Sequence, residues 1–534
     1  MVSLPGTGVP SDPNNFPIST LGELFEQQAK AYRDKPFVHE GFSGCSMTYG
    51  ELYAEAGNVA TALADAGLTK GDIVATLMAN SIDHLLVWFG SLRLGVTYAP
   101  LNVEFGHEDL AHCLRTVDPE AIVIDDQYVE QYAEIRPSVT PSHEFIRHGD
   151  LDNADPFTML TESVSGDPTP DLGPGDDAII TFTGGTTGLP KPILHAQFAP
   201  LVGAYRYIDA FSAEESDVHH SSLQLYHGGG QQFAIVGPMM AGMSTVLTER
   251  FSVTQFFDQV NRYEATISDT VGPMLGALLN TYDDPVDNTL EKMLAMMEDN
   301  DHARAYERFN VDLVKPYALT EGGGILLTHR VFHPSDLDDE GEGTPVGSID
   351  GWGEIGILDE RDVPLPPGEV GEICLRPTIP HSMMERVYND PEATIDIWNQ
   401  LWIHTGDLGW LDDDGELYYV GRQAHWLRRM GENISSQEVE AVLNDHPAVV
   451  DSAVVGAENQ EIGGEDVRAI IKVSDEIEPI DLVDWCRDRL AEFKLPRYVE
   501  IVDEFPRTST KNKIKRYELR ERPLDETWDF EQTD

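Results

Sequence analysis

Hydrophobic and polar positions fall into two periods along the first part of the chain. Over residues 20–32, Leu21, Leu24, Phe25 and Ala29 recur at helical spacing, and over 48–64 the apolar positions 52, 53, 56, 59, 60, 63 and 64 do the same. Short, mainly apolar runs at 73–78 (IVATLM) and 121–124 (AIVI) read as strands, the second of them buried. A helix-like stretch over 81–94 leads into Tyr98-Ala99-Pro100-Leu101. Farther on, the apolar run 178–180 reads as the end of a buried strand, residues 266–273 lead into a helix through Leu279, and 311–321 (VDLVKPYALTE) reads as a strand ending in Tyr317, Thr320 and Glu321. Strand and helix signals alternate, which predicts an α/β fold with mainly parallel sheets. Residues 150–177, rich in Asp, Pro, Ser and Gly, read as a surface connection.

From 345 to 419 the pattern changes to short strands broken by Gly, Pro and Asp, as at 369–373 and 415–419, which predicts a small antiparallel β unit. After Gly421-Arg422 a compact last unit is expected, with a helix at 438–443, strands at 452–456 and 467–473, and a helix at 481–493. The expected division is a large N-terminal region of α/β subdomains plus the β unit over 1–421, then a small mobile α+β domain over 422–534, with residues 1–17 a loose arm.

A length of 534 residues suggests roughly three or four folding units. Charge changes the picture more. There are 36 Lys+Arg against 93 Asp+Glu, a formal charge of −57, spread along the chain and not gathered in a tail. Such a surface argues against nucleic-acid or anionic-lipid partners. With 41% apolar residues the chain is not disordered in composition. The expectation is a halophilic protein, because at molar salt the Debye length falls to about 3 Å and self-repulsion is screened. Cys45, Cys113, Cys374 and Cys486 have no CxxC or zinc spacing and read as reduced, buried thiols of a cytoplasmic protein. The N-terminus lacks the features of a signal peptide, and the most apolar stretch, 85–101, is interrupted by Arg93 and Gly95, so no membrane span is expected.

The chemistry-bearing stretch is 181–192, TFTGGTTGLPKP. Glycines allow backbone N–H groups to converge on an anion, threonine hydroxyls add donors, and Lys191 adds a mobile charge, so the stretch reads as a polyphosphate-wrapping loop. It lacks the GxxxxGK[ST] spacing of a Walker A loop. Other signals are weaker singly: His227 before three glycines in 221–230 (SSLQLYHGGG), the aromatic–hydroxyl–carboxylate set Tyr317, Thr320 and Glu321 at a strand end, Asp407 in 402–407 (WIHTGD), and a basic island over 505–520 (FPRTSTKNKIKRYELR) in an acidic chain.

Taken in order, these stretches resemble the motifs of the AMP-forming acyl-CoA synthetase family of adenylate-forming enzymes, over about residues 20 to 520. Residues 183–191 resemble the family's phosphate loop, 226–229 (YHGG) its acyl-pocket motif, 317–321 (YALTE) its YGxTE motif, 405–407 its TGD, 421–440 the segment opening its mobile domain, and the tail its PRTxTGKIxRxxLR. Glu307-Arg308-Phe309 and 428–435 (RRMGENIS) resemble the crotonobetaine/carnitine–CoA ligase branch.

The resemblance implies an acid–CoA ligase that joins a carboxylate to AMP with release of pyrophosphate and then transfers the acyl group to CoA. It implies ATP, Mg²⁺ and coenzyme A, and a small-molecule acid as partner. It places Thr183, Gly184, Gly185, Thr186, Thr187, Gly188 and Lys191 around the β- and γ-phosphates, Thr320 as a phosphate donor, Glu321 on Mg²⁺, and Tyr317 against adenine. Asp407 takes the ribose hydroxyls with Arg422 beside it, His227 lines the acyl pocket, and Gly431 passes along the pantetheine channel. Lys513 is the adenylation lysine, bridging the substrate carboxylate and α-phosphate, and rotation of the C-terminal domain would withdraw it. His195, after the loop, reads as structural. The chain departs from the family pattern at Pro192, Ala318, residues 298–300, Ala424 and His425, and its tail (510–514, TKNKI) is one residue longer than TGKI. Two other readings share the first step: a stand-alone enzyme loading a carrier protein, and a nucleotide-binding relative that has lost catalysis. The 226–229 motif has no acidic residue to hold an amino group.

Two outcomes are expected. In dilute buffer the protein loses its far-ultraviolet circular dichroism signal, and molar KCl restores it; an unchanged spectrum contradicts the halophilic reading. Lys513→Ala abolishes acid-dependent pyrophosphate release yet spares thioester formation from supplied acyl-AMP; if Lys511→Ala does this instead, the alignment of the tail is wrong.

Overall fold

The computed structural model describes residues 18–162, 168, 170–184, 189–295, 299–323, 331–332, 345–349, 352–359, 361–422, 426–429, 432–459, 464–474, 477–487, 489–506, 514, 516–520, 522–524 and 527–530. The expected α/β architecture is present. One eight-stranded sheet runs in the order Met384–Val387, Pro190–Ala196, Asp177–Gly184, Thr97–Pro100, Ile73–Leu77, Ala121–Asp125, His143–Arg147, Asp155–Pro156. It is parallel from Asp177–Gly184 to the Asp155–Pro156 edge and antiparallel on the other side. The second eight-stranded sheet is parallel in its interior, from Asp312–Val314 through Val218–Ser221 to Pro36–Glu40, with an antiparallel strand at each edge.

Both sheets share one hydrophobic core with helices Leu21–Ala31, Tyr49–Asp65 and Ile82–Leu94. Tyr49–Asp65 starts where the sequence places it because Thr48 and Glu51 form a reciprocal capping box. Ile82–Leu94 is buried almost all round, begins at the Ser81 cap and stops at Gly95 with φ 77°. Helix His107–Val117 goes beyond the elements expected from the pattern; it ends on Asp118 in the left-handed region.

The antiparallel unit is a five-stranded sheet of Gly353–Leu358, Gly371–Pro377, Trp402–Leu411, Trp398–Asn399 and Leu417–Arg422. Its strands start later than the sequence suggests, because Gly368 and Gly415 take φ of 82° and 86° and belong to turns. The 311–321 stretch is a strand only over Asp312–Val314; Tyr317–Glu321 lies in the irregular segment that follows.

A four-stranded sheet (Val449–Asn459, Gly464–Val473, Tyr498–Ile501, Trp528–Asp529) packs with helices Ser436–Asn444 and Pro479–Arg487 around a separate core that includes Leu427, Ile434, Val439, Val483 and Leu495. The helix expected over 481–493 ends at Arg487. Leu490 folds back on the Cys486 carbonyl, and a 3₁₀ turn, Glu492–Lys494, follows and turns Lys494 inward. Cys113, Cys374 and Cys486 are buried and free as expected, but Cys45 is exposed, in the turn before Ser46–Thr48. No helix among the described residues is long and apolar enough to cross a membrane.

After His227 the glycines begin a helix that changes pitch. Gly228–Gln231 is α-helical, Gln232–Val236 is a π-helical turn, and Gly237–Ala241 is α-helical again. Such turns widen a helix locally and recur at functional sites. Gly230 makes the entry possible: a Cβ there would lie 2.1 Å from the carbonyl oxygen of Gln224, whereas one on Gly228 would meet nothing within 4 Å. Gly230→Ala is therefore expected to lower unfolding free energy by about 1–3 kcal/mol in denaturant titration at molar salt, and Gly228→Ala to leave it nearly unchanged. Equal effects would show that the close approach does not matter.

Candidate nucleotide and acyl site

The segment from Tyr317 to Gly323 ties the expected site residues together. His195 lies on Pro190–Ala196, the strand that leaves the phosphate-loop hairpin, and its Nε2 donates to the Thr320 carbonyl at 2.8 Å. Burial pushes the His195 imidazole down to about 4, so it is neutral and acts as a fixed donor, in agreement with its structural reading. Gln232, in the π turn, donates from Nε2 to the Gly323 carbonyl at 3.0 Å. Tyr317 Oη donates to Asp407 Oδ2 at 2.8 Å. Burial first, then the Asp407 charge, pushes the Tyr317 phenol well above its usual range, so it stays a donor. Gly323, at φ 65°, passes so close to Ser382 and Met383 that a Cβ would lie 2.7 Å from the Ser382 carbonyl oxygen. The Met384 N–H donates to the Glu321 carbonyl.

The 183–191 stretch, expected to wrap phosphate, belongs to an antiparallel hairpin. Asp177–Gly184 pairs with Pro190–Ala196, with Thr183 opposite Lys191 and Gly184 opposite Pro190. The hydroxyls of Thr181 and Thr183, two residues apart on this strand, are buried with no hydrogen-bond partner among the described residues. Gly185, Thr186, Thr187 and Gly188 lie outside the described residues, as do Gly431 and Lys513.

Asp407 is held by a bulged turn within Trp402–Leu411. Gly406 has φ 70°; its N–H donates to Glu372 Oε1 at 2.9 Å. Thr405 Oγ1 donates to the Ile373 carbonyl and accepts from the Asp407 N–H. Glu372 Oε2 meets His404 Nδ1 at 2.9 Å. Asp407 is buried and its backbone lies opposite Arg422, whose side chain is outside the description. Glu372, Cys374 and His404 bring three metal-ligand atoms within 4.8 Å of one another, but Glu372 commits both oxygens, to His404 and to the Gly406 N–H. This cluster braces the Asp407 turn. Glu321, a half-buried oxygen donor beside Thr320, is better suited to a hard cation.

His227 faces Glu432 across a sequence separation of 205 residues, with Nε2 3.2 Å from Oε1. Burial pushes the Glu432 carboxyl up, but His227 and then Lys494 pull it further down, leaving it below its ordinary value. Tyr226 packs its ring edge-on to His227 at 4.7 Å. The Glu432–Ser435 strand, whose partner is Trp426–Arg429, packs on Asp177–Gly184.

The structure thus brings Thr183, Lys191, Thr320, Glu321, Tyr317, Asp407 and His227 onto connected elements. Sequence reasoning missed Gln232, Glu372, His404 and Glu432 as supports. Glu372 and His404 stood inside the strand patterns 369–373 and 402–407, and Glu432 inside RRMGENIS, with nothing in their spacing to pair them.

The AMP-binding enzyme family model matches residues 25–386, and that of the AMP-binding enzyme C-terminal domain matches 438–512. A crotonobetaine/carnitine–CoA ligase of Salmonella heidelberg is 29% identical over 513 residues, covering 93% of this chain and 98% of that protein. An o-succinylbenzoate CoA synthetase double mutant of Bacillus subtilis, bound to its product analogue OSB-NCoA, superposes with a TM-score of 0.80 at 24% identity, covering 93% of this chain and 98% of that one. The Bacillus subtilis synthetase in complex with its acyl-adenylate intermediate OSB-AMP superposes with a TM-score of 0.66 at 24% identity, covering 94% and 98%. The chain belongs to the AMP-binding enzyme family.

Proposed function

We propose that this member of the family is an ATP-dependent acid–CoA ligase working in two half-reactions at one crevice, with the C-terminal domain, from about residue 422, as the moving part. In the first, a carboxylate oxygen attacks the α-phosphorus of ATP, the bond to the bridging oxygen breaks, and pyrophosphate leaves. In the second, the CoA thiolate attacks the acyl carbonyl, and AMP leaves with its phosphate oxygen.

Charge moves onto phosphate oxygens in the first step, so donors fixed beforehand do most good. Thr183, the glycines and threonines of 184–188, and Lys191 would hold the β- and γ-phosphates. The Thr181 and Thr183 hydroxyls, buried at the root of the loop without partners among the described residues, support an anion there. Thr320 would donate to phosphate, with its main chain fixed by His195. Tyr317 would face adenine. Asp407, buried and braced, would accept from the ribose hydroxyls in the stronger, charge-assisted kind of bond, with Arg422 beside it. Glu321 would hold Mg²⁺, which when bound would offset the negative charge of the phosphates. Lys513 would bridge the carboxylate and the α-phosphate during adenylation.

The observation that carries this reading is the joint tethering of the 317–323 segment to the loop hairpin, the glycine-rich turn and the Asp407 turn. The arrangement seen, with Glu432 against His227, supports a state suited to thiol transfer. His227 would then line the acyl pocket, and the strand beginning at Glu432, next to Gly431, would border the pantetheine path.

A panel of straight-chain, aromatic and trimethylammonium-bearing carboxylic acids, assayed in molar KCl, tests the proposal. At least one acid should give pyrophosphate release dependent on both acid and ATP, and AMP release with thioester when CoA is added. Pyrophosphate exchange with no thioester would favour a carrier-protein acceptor, and ATP binding without exchange would favour a relative that has lost catalysis.

A further inference from the structure

One buried charge cluster joins the two halves of the molecule outside the site just described. Lys494, in the 3₁₀ turn Glu492–Lys494, donates from Nζ to Asp109 Oδ2 at 2.9 Å and also to the Glu438 carboxylate. Relative exposures are 4% for Lys494, 3% for Asp109 and 8% for Glu438. Glu438 and Lys494 lie on elements of the C-terminal core, on helix Ser436–Asn444 and on the turn before Leu495. Asp109 lies 385 residues before Lys494, on helix His107–Val117 of the N-terminal region. Packing is close here: a Cβ on Gly106, the cap of that helix, would lie 3.2 Å from the Ala491 nitrogen and the Leu490 carbonyl carbon.

The surroundings are acidic on both sides. Burial raises the Glu104 carboxyl, and the charges of Glu432 and Glu492, across the interface, raise it further. Glu108 adjoins Asp109 and adds to the negative field at Glu438. Docking the two units therefore sets acid against acid, and Lys494 places a buried cation among them.

We propose that Asp109 is a positioning residue for acyl transfer to the thiol: through Lys494 it docks the C-terminal unit so that the Glu432–Ser435 strand lies against His227. The two partners of Lys494 differ in kind. Glu438 travels with Lys494 whatever the orientation of the unit. Asp109 pairs with it only when the unit is seated as observed, and in any other orientation Asp109 returns to water. The Asp109–Lys494 bond thus favours one orientation over others, while the Glu438–Lys494 bond favours none. Breaking one partner of a buried charge pair is far more damaging than losing an exposed one, so the bias is sizeable. The inference rests on the two-half-reaction reading above; among the described residues, the hydrogen-bond partner of the Asp109 side chain is Lys494.

The test uses the full-length protein in molar KCl. Asp109→Asn keeps the side-chain size and removes the charge. Three quantities are compared with the unsubstituted protein: acid-dependent ATP–pyrophosphate exchange, thioester formation from supplied acyl-adenylate and CoA, and the distance distribution between spin labels on the exposed Cys45 and on an exposed Val450→Cys. Exchange should stay within about twofold, thioester formation should fall about tenfold or more, and the label distances should broaden. The exchanged pair Asp109→Lys with Lys494→Asp, which keeps two anions around one cation, should recover part of the thioester rate and narrow the distances. Equal loss of both half-reactions would assign Asp109 to general stability and overturn the proposal. So would an unchanged thioester rate with unchanged distances, or an exchanged pair that restores nothing. If the unsubstituted protein forms no adenylate with any acid, the ligase reading fails, and the label distances alone decide whether Asp109 seats the domain.

Discussion

The 317–323 segment is irregular backbone in the middle of the molecule, and such backbone needs its polar groups satisfied. Two of its carbonyls are taken by side chains from other elements, and the Glu321 carbonyl by the Met384 N–H. The Thr320 carbonyl goes to His195 and the Gly323 carbonyl to Gln232, while Tyr317 hands its hydroxyl to Asp407. Each bond is ordinary alone, about 0.5–1.5 kcal/mol net. Their value lies in what they fix. The imidazole of His195 is buried and held neutral, so it can only donate as placed, and a shift of the Thr320 main chain would strand its Nε2–H. The turn carrying Thr320 and Glu321 is therefore locked to the hairpin that carries Thr183 and Lys191, and the two keep one mutual position.

The same logic holds at Asp407. A buried carboxylate needs partners, and here Tyr317 supplies one from the 317–323 segment. Its turn is braced from behind by Glu372, which holds the Gly406 N–H and the His404 ring. A site built this way sits on strands and braced turns. The C-terminal unit has its own core, so its orientation depends on surface contacts, among which His227–Glu432 and Asp109–Lys494 are the charged ones described here.

Much of the fold was legible because local signals agreed. The helix beginning at about Thr48, the strands read from the apolar runs at 73–78 and 121–124, and the helix-like 81–94 stretch each matched the structure. The motif stretches were legible because they combine particular residue types in tight spacing, and the family model matches the region that holds most of them. What was not legible is long-range and carried by main chain. His195 meets Thr320 across 125 residues, and Gln232 meets Gly323 across 91, through carbonyls that every residue type possesses. Lys494 sits 385 residues from Asp109, in a stretch whose periodicity continues a helix that the structure stops at Arg487. No pattern along the chain pairs one acid out of 93 with one cation.

If the 317–323 segment gathers the nucleotide and acyl subsites into one crevice, a crystal structure with a non-hydrolysable acyl-sulfamoyl adenosine will show it. The ribose is expected on Asp407, adenine against Tyr317, the sulfamoyl group at Thr320 and the acyl chain running toward His227. An adenosine lodged away from Asp407, or an acyl chain leaving on the side opposite His227, would contradict it.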